Sequence, residues 1–375
     1  MILYFIVSIS LIYLILIASL AFGMDKVNPV LLQDQDAKSG FSVVIPFRNE
    51  INNLPQLVAS IKKLEYPQHL YELIFVDDDS EDNSLSELKD LTAELKVHLN
   101  IITNARTSGS PKKDAILNAI NIAKFDWIVT TDADCELPKY WLDAMDQFIQ
   151  NNEVAFIVAP VTYRKIHSFF DRFQLLDFLS LQGATQGGFG INQPFLCNGA
   201  NLAYKKDLFL ELNGFNNNDH LASGDDIFML EKVLKRDKKI VNYLKCEHAI
   251  VSTKPEGSLK ELIFQRMRWA SKSSNYKNRF ALLTGLLVFL MNSSIVILPL
   301  LVIMRLIPLK IALHIYLIKL CIDFLLLYKI SRFFHQESNL GSYVLCSLIY
   351  PFFSVFIALI SVLIPYSWKG RSFSK

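Results

Sequence analysis

Uncharged apolar runs occupy both ends of this chain, and shorter patterns of period two and period 3.6 fill its middle. Residues 1–24 carry no charged side chain and come close to the ~20 residues a helix needs to cross a hydrocarbon core. They are predicted to be a transmembrane anchor. A cleavable leader with Ser19 and Ala21 at its cut is the rival reading, opposed by the lack of a basic stretch ahead of the apolar run. Three more spans are expected in the C-terminal region 280–368. The first, 280–304, lies between Arg279 and Arg305; the second is 311–328; the third, 340–365, contains Pro351. The middle one carries Lys319 and Asp323, whose i,i+4 spacing puts them on one helix face, where each neutralises the other; a structural ion pair is favoured over a transport role.

Between the ends, strand-like and helix-like patterns alternate. Phe41–Pro46 reads as a strand, and Leu54, Leu57, Val58, Ile61 and Leu64 then recur at helical spacing, with Pro55 in the first turn. Leu73–Val76 is the next strand, and Leu85, Leu88, Leu91 and Leu95 form a helix stripe. Asn100–Ile102 is a third strand, Ala115–Ala123 a helix and Trp127–Thr131 a fourth strand. This alternation predicts an α/β domain with a mostly parallel sheet, which binds ligands at the carboxyl ends of its strands. A later segment with Phe169, Phe170, Phe173, Leu176 and Phe178–Leu181, followed by Gly187, Gly188 and Gly190, predicts an aromatic helix. It has two readings: a core helix under the sheet, or an interfacial helix that floors an acceptor site.

Composition narrows the picture. Of 375 residues 51% are hydrophobic and 20% charged, and Lys+Arg 38 against Asp+Glu 36 leaves a net charge of +2. No bulk field gathers nucleic acid, so no nucleic-acid partner is expected. Arg266, Arg268, Lys272, Lys277 and Arg279 precede the second span, which predicts that the middle region faces the cytoplasm of a multi-pass protein of the cell (inner) membrane. Four spans then leave Lys369, Arg371 and Lys375 on the disfavoured side, unless the last segment is re-entrant around Pro351. The five cysteines are scattered without CxxC spacing, so neither a disulfide framework nor a zinc site is indicated.

The residues after the second and fourth strands are acidic: VDDDSED at Val76–Asp82 and TTDADCE at Thr130–Glu136. Carboxylates gathered at one sheet edge raise each other's pKa unless a cation is present. Asp132 and Asp134, one residue apart, point to one side in a strand-like conformation and could share Mg²⁺ or Mn²⁺, whose shell phosphates and water would complete. Lys112 and Lys113 open a helix, where the positive end of the dipole suits an anion. Asp225 and Asp226 start an amphipathic helix, a position where an acidic cap is also an ordinary structural feature.

Taken in order, VVIPFRNE, VDDDSED, PKKDAILNA, TTDAD, CNGANLAY, SGDDIFML and QRMRW resemble the motif series of the family 2 glycosyltransferases over roughly Phe41–Trp269. The resemblance implies a GT-A fold over 38–279, a nucleotide-sugar donor, a divalent cation and inversion at the anomeric carbon. It implies that Pro46 and Glu50 lie near the nucleoside, with Asp77 and Asp78 beside the base and ribose. Lys113, five residues before Asn118, falls on the phosphate side. Asp132 and Asp134 match the DxD, Asp134 being the direct metal contact, and Asp226 matches the catalytic base. Gln265, Arg268 and Trp269 match QxxRW, which contacts diphosphate and acceptor at the membrane. Asp225 stands where the family more often has Glu, and no FxVTxKG-like gating segment follows Trp269. The expectation is transfer of a sugar, with a leaning to a UDP-sugar, to a lipid-linked, lipid or glycan acceptor in envelope or surface polysaccharide assembly. The alternatives are a processive polysaccharide synthase and a non-catalytic membrane scaffold.

Overall fold

The computed structural model describes residues 1–216, 223–272, 275–368 and 371–373. The chain forms two compact units: Asn28–Arg164 with Cys197–Lys254, and Met1–Val27 with Lys165–Leu196 and the segment from Pro255 onward. The glycosyltransferase domain expected over 38–279 is thus divided, because 165–196 and 255–279 fold with the apolar helices.

In the first unit the seven-stranded sheet has the order β3-β2-β1-β4-β7-β5-β8, with β1 Phe41–Phe47, β2 Tyr71–Asp77, β3 His98–Thr103, β4 Trp127–Thr130, β5 Phe156–Val158, β7 Leu202–Lys205 and β8 Val241–Tyr243. β1 pairs in parallel with β2 and β4 and β2 with β3, so the carboxyl ends of these four strands share one edge. β7 runs antiparallel to β4 and β5, which makes the sheet mixed. Val43, Val44 and Ile45 are wholly buried, as are Leu73, Ile74 and Phe75, the continuous apolar runs expected of strands covered on both faces. Helices α2 Leu54–Ile61, α3 Ser84–Thr92, α4 Pro111–Ile122, α5 Trp141–Asn151, α7 Lys206–Glu211 and α8 Asp225–Arg236 accompany it, and β6 Val161–Tyr163 pairs in parallel with β9 Val251–Thr253.

The second unit is helical: α1 Ile2–Lys26, α6 Phe169–Gly190, α9 Leu259–Ser271, α10 Arg279–Ile303, α11 Leu309–Phe333 and α12 Tyr343–Leu363, followed by a hairpin of β10 Tyr366–Trp368 and β11 Arg371–Phe373. Among the described residues four helices are long and apolar enough to cross a membrane: α1, α10, α11 and Glu337–Leu363. α12 runs unbroken through Pro351, so no re-entrant turn forms there. Lys369 and Lys375 lie outside the described residues. Lys319 Nζ is 2.5 Å from Asp323 Oδ2, as the i,i+4 spacing predicts. The Tyr13 hydroxyl donates to Asp323 Oδ1 at 2.7 Å, a link between α1 and α11 that the spacing alone does not reveal. Lys319 is buried, Asp323 is half-buried and both are hydrogen-bonded, which is what an ion pair largely away from water requires.

The α6 glycines do not follow the aromatic helix; they lie inside it. A capping box starts the helix, with Asp171 N–H donating to Ser168 Oγ at 3.0 Å and Ser168 N–H donating to Asp171 Oδ2 at 2.8 Å. The helix then continues to Gly190 because the glycines meet α1 backbone to backbone. A Cβ on Gly187 would sit 2.3 Å from the Leu20 carbonyl oxygen, and one on Gly190 would sit 1.7 Å from that of Gly23. Small residues permit this approach where apolar helices cross in lipid. Within this unit α6 also packs on α11 and α12. Gly190→Val should therefore destabilise the protein by about 3 kcal/mol through overpacking. Gly341→Val, whose Cβ meets nothing within 4 Å, should be neutral by comparison. Thermal unfolding in detergent checks this; equal midpoints for the two variants would show that α1 and α6 do not depend on the contact.

Candidate active site

At the carboxyl edge of the sheet, β4 ends on Thr130, whose hydroxyl donates to the Gly199 carbonyl at 2.9 Å. The next residues form a turn, closed by Cys135 N–H donating to the Asp132 carbonyl at 3.2 Å. The strand-like conformation expected of the DxD is absent because the chain leaves the sheet one residue before it. Thr131, Ala133 and Cys135 are nevertheless buried while Asp132 and Asp134 are half-buried, so the two carboxylates alternate with residues anchored in the core. Burial, followed by the charges of Asp134 and Asp132, pushes the Cys135 thiol well above its ordinary range. It is therefore a protonated core group and not a thiolate ligand.

The cation facing these acids is Lys112. Its Nζ lies 2.7 Å from Asp132 Oδ1 and 3.3 Å from Asp225 Oδ2. Burial acts to lower the Lys112 pKa, but the attraction of Asp132, Asp225 and Asp226 outweighs it and leaves it raised, so the ammonium stays charged. Lys113, the position the resemblance marks, is 1% exposed, with its ammonium 5.2 Å from the centre of the Phe228 ring on the helix that also carries Asp225 and Asp226. Asn118 donates to Asn104 Oδ1 at 2.9 Å and to the Ala105 carbonyl at 3.0 Å.

Asp225 and Asp226 occupy the first turn of α8, entered through Gly224 at φ +86, a left-handed position that favours glycine. Asp226 is buried; its Oδ2 accepts from Gly199 N–H at 3.3 Å and its Oδ1 from Ile227 N–H at 2.7 Å. Gly199 itself was passed over in the motif CNGANLAY. A Cβ there would lie 2.9 Å from Asp225 Oδ2 and 3.4 Å from Lys112 Nζ, so the bare backbone lets the acids and the lysine close on it. Asp132, Lys112 and Asp225 thus form one chain of contacts at this edge, with Gly199 and Asp226 beside it.

Farther along the same edge, the loop after β2 is held by its own chain. Arg106 Nε donates to Asp78 Oδ1 at 2.6 Å, and Asn104 Nδ2 donates to the same oxygen at 2.8 Å. Ser80 donates to Asp77 Oδ1 through its hydroxyl at 2.6 Å and its N–H at 3.1 Å. Arg48 Nη1 reaches the Asp78 carbonyl at 2.9 Å. Pro46 is half-buried at the end of β1. The buried Glu50 donates its N–H to Ser84 Oγ at 2.7 Å and accepts from Asn53 Nδ2 at 2.6 Å through Oε2. These residues shape the loops.

Gln265, Arg268 and Trp269 stand on α9, in the helical unit. Gln265 Nε2 donates to Glu256 Oε1, and Arg266 Nη1 donates to Gln265 Oε1. Arg266, which the sequence offers only as a basic flank, organises this helix. Its Nε is 2.6 Å from the buried Asp177 Oδ2 on α6, and its guanidinium lies 4.2 Å from the centre of the Trp269 ring. Trp269 also meets Phe178, with centroids 6.0 Å apart. Arg268 is half-buried.

A divalent ion fits the sheet-edge cluster by one observation: the Lys112 ammonium is a stand-in cation already shared by carboxylates from two separate segments. Among the described residues no group of three or more His, Cys, Asp or Glu could hold a metal by itself, so the remaining ligands would have to come from substrate and water.

Comparison with known proteins follows the same lines. Residues 42–212 match the glycosyl transferase family 2 model. An undecaprenyl-phosphate 4-deoxy-4-formamido-L-arabinose transferase of Proteus mirabilis is 40% identical over 98 residues, 26% of this chain and 29% of that one. The enzyme of the same name from Pseudomonas fluorescens is 32% identical over 136 residues, covering 35% and 38% of the two chains. The chain therefore spans well under half the length of these relatives. A solved mannosyltransferase from Pyrobaculum calidifontis, in complex with GDP-Man and Mn²⁺, superposes with a TM-score of 0.61 at 14% identity, covering 93% of this chain and 99% of that one. This likeness shows a shared GT-A fold.

Proposed function

We propose, on the premise that the chain carries a glycosyl transferase family 2 domain over residues 42–212, that it is a membrane-bound inverting glycosyltransferase passing a sugar from a nucleotide-sugar to a lipid acceptor. The observation that carries the reading is the convergence of Asp132 and Asp225 on Lys112, with Asp226 adjoining, at the carboxyl edge of the sheet. Two further features support it: the four apolar helices, and relatives whose names specify an undecaprenyl-phosphate acceptor.

In this reading Asp132 and Asp134 hold Mg²⁺ or Mn²⁺, which as a Lewis acid supplies charge stabilisation for the leaving diphosphate. Lys112 would supply a positive charge to the diphosphate. Asp226 takes the proton of the acceptor hydroxyl as its oxygen bonds to the anomeric carbon, and the bond from that carbon to the diphosphate oxygen breaks, its electron pair leaving with the nucleotide. One displacement inverts the anomeric centre. Pro46, Glu50, Asp77 and Asp78 shape the nucleoside end, with UDP the favoured nucleotide. Gln265, Arg268 and Trp269 keep the diphosphate-side and acceptor-side roles, and Lys113 the phosphate-side role, that the motif resemblance implies. The catalytic unit faces the cytoplasm, and the product enters envelope or surface polysaccharide assembly.

Membranes bearing the protein, given radiolabelled UDP- and GDP-sugars with Mg²⁺ or Mn²⁺, should transfer label into organic-extractable lipid. Chelation or Asp134→Ala should reduce this by at least about 100-fold, as loss of a principal electrostatic contribution does. Failure of every donor to label lipid would overturn the proposal, and label confined to long polymer would replace it with a processive synthase.

A further inference from the structure

The helical unit encloses a cavity of about 520 Å³ between α1, α6, α10, α11 and α12, within the ~300–1,000 Å³ range of ligand sites. Its walls are largely apolar, among them Ile17, Leu176, Leu286 and Leu326. The polar groups at its rim are mostly satisfied by the protein. Asp177 is paired with Arg266, Asp323 with Lys319 and Tyr13, and the Ser180 hydroxyl donates to the Asp177 carbonyl at 2.7 Å.

Thr284 is the exception. It lines the cavity from α10, is 8% exposed, and its hydroxyl has no hydrogen-bond partner. A helical threonine ordinarily turns its hydroxyl back to a carbonyl three or four residues earlier. On the same helix Ser294 does so, donating to the Leu290 carbonyl at 2.8 Å; the Ser293 hydroxyl also lacks a partner but does not line the cavity. A buried hydroxyl facing an apolar cavity calls for an oxygen from a ligand. One residue on, Gly285 also lines the space, and a Cβ there would meet nothing within 4 Å. Thr284 is five residues into α10, roughly 7.5 Å from its start at ~1.5 Å per residue. Leu286 and Val288 continue the wall on this helix.

We infer that this cavity holds the acceptor lipid, with an ester, hydroxyl or phosphate oxygen at Thr284 and one hydrocarbon chain running past Gly285 and Leu286 between the helices. The inference rests on the proposed lipid acceptor and assigns its lipid part to a defined place. It gives Thr284 and Gly285 a role in choosing the acceptor and none in the chemistry at the sugar.

The test uses the full chain in detergent with two diazirine-bearing probes, a polyprenyl phosphate and a diacylglycerol. Photolysis should label α10 or α6 with one of them, which also identifies the source of the oxygen. Gly285→Leu fills the open space and should cut that labelling and raise KM for the same lipid at least about tenfold, the scale on which added or missing methylenes discriminate in a pocket. Thr284→Val, which keeps the shape, should raise KM roughly three- to tenfold for loss of one hydrogen bond. Hydrolysis of the donor by water should be unchanged in both. Labelling of both probes that Gly285→Leu leaves untouched, or labelling confined to other segments, would overturn the inference while lipid glycosylation by the wild type stood. Absence of glycosylation with intact, Gly285-sensitive labelling would instead overturn the proposed reaction and leave the lipid site.

Discussion

Asp226→Asn is expected to lower the turnover number by about 10²- to 10⁴-fold, the contribution of a positioned general base, while nucleotide binding changes little. The substitution preserves volume at a buried position in the first turn of α8. An asparagine carbonyl oxygen would still accept the N–H of Gly199 or Ile227, which now bond the carboxylate at 3.3 and 2.7 Å. It could not accept the acceptor hydroxyl's proton. Single-turnover transfer to lipid, measured beside equilibrium binding of UDP, separates these effects. A loss confined to UDP binding would show that Asp226 serves the donor, and unchanged turnover would remove it from the reaction. Asp225, one residue earlier, differs in its partner: its carboxylate is 3.3 Å from Lys112 Nζ, which commits it to the charge balance of the cluster.

The sequence made legible whatever rests on period or on long apolar runs. Strands β1, β2 and β4 are built on short hydrophobic runs followed by polar residues, so their carboxyl edge and the acids on it follow from pattern alone. The four apolar helices follow from length and lack of charge. Features set by tertiary contact were illegible. Gly187 and Gly190 read as breakers because glycine disfavours an isolated helix, yet α6 runs through them because α1 needs their bare backbone. β7 is antiparallel because of the path its chain takes to reach the sheet, which local pattern does not encode. Nothing in QRMRW tells that Arg266 meets a buried carboxylate, Asp177 on a helix 89 residues earlier.

Lys112 illustrates the same limit and leads to the second large effect. The resemblance marks Lys113, and the structure adds Lys112, one residue earlier and about 100° around α4, as a contact of Asp132 and Asp225. Lys112→Met removes a positive charge that sits 2.7 Å from Asp132 and 3.3 Å from Asp225. Two consequences of opposite sign follow. Without nucleotide, an ion competing with that ammonium for the same carboxylates gains, so Mn²⁺ alone should bind at least about tenfold more tightly, a modest share of the ~4 kcal/mol that like charges 4 Å apart exert near a protein surface. With nucleotide, one charged partner of the diphosphate is lost, and kcat/KM should fall roughly 10- to 100-fold, as for a hydrogen bond to a charged group. Titration of free Mn²⁺ by electron paramagnetic resonance, with and without UDP, reads the two effects separately from turnover. Equal Mn²⁺ affinity in the wild type and Lys112→Met would mean that Asp132 and Asp225 are a salt-bridge scaffold for α4 and α8, with the metal held elsewhere. Tighter Mn²⁺ binding coupled to weaker transfer would identify Lys112 as the residue that keeps the acidic cluster closed until a diphosphate arrives to share it.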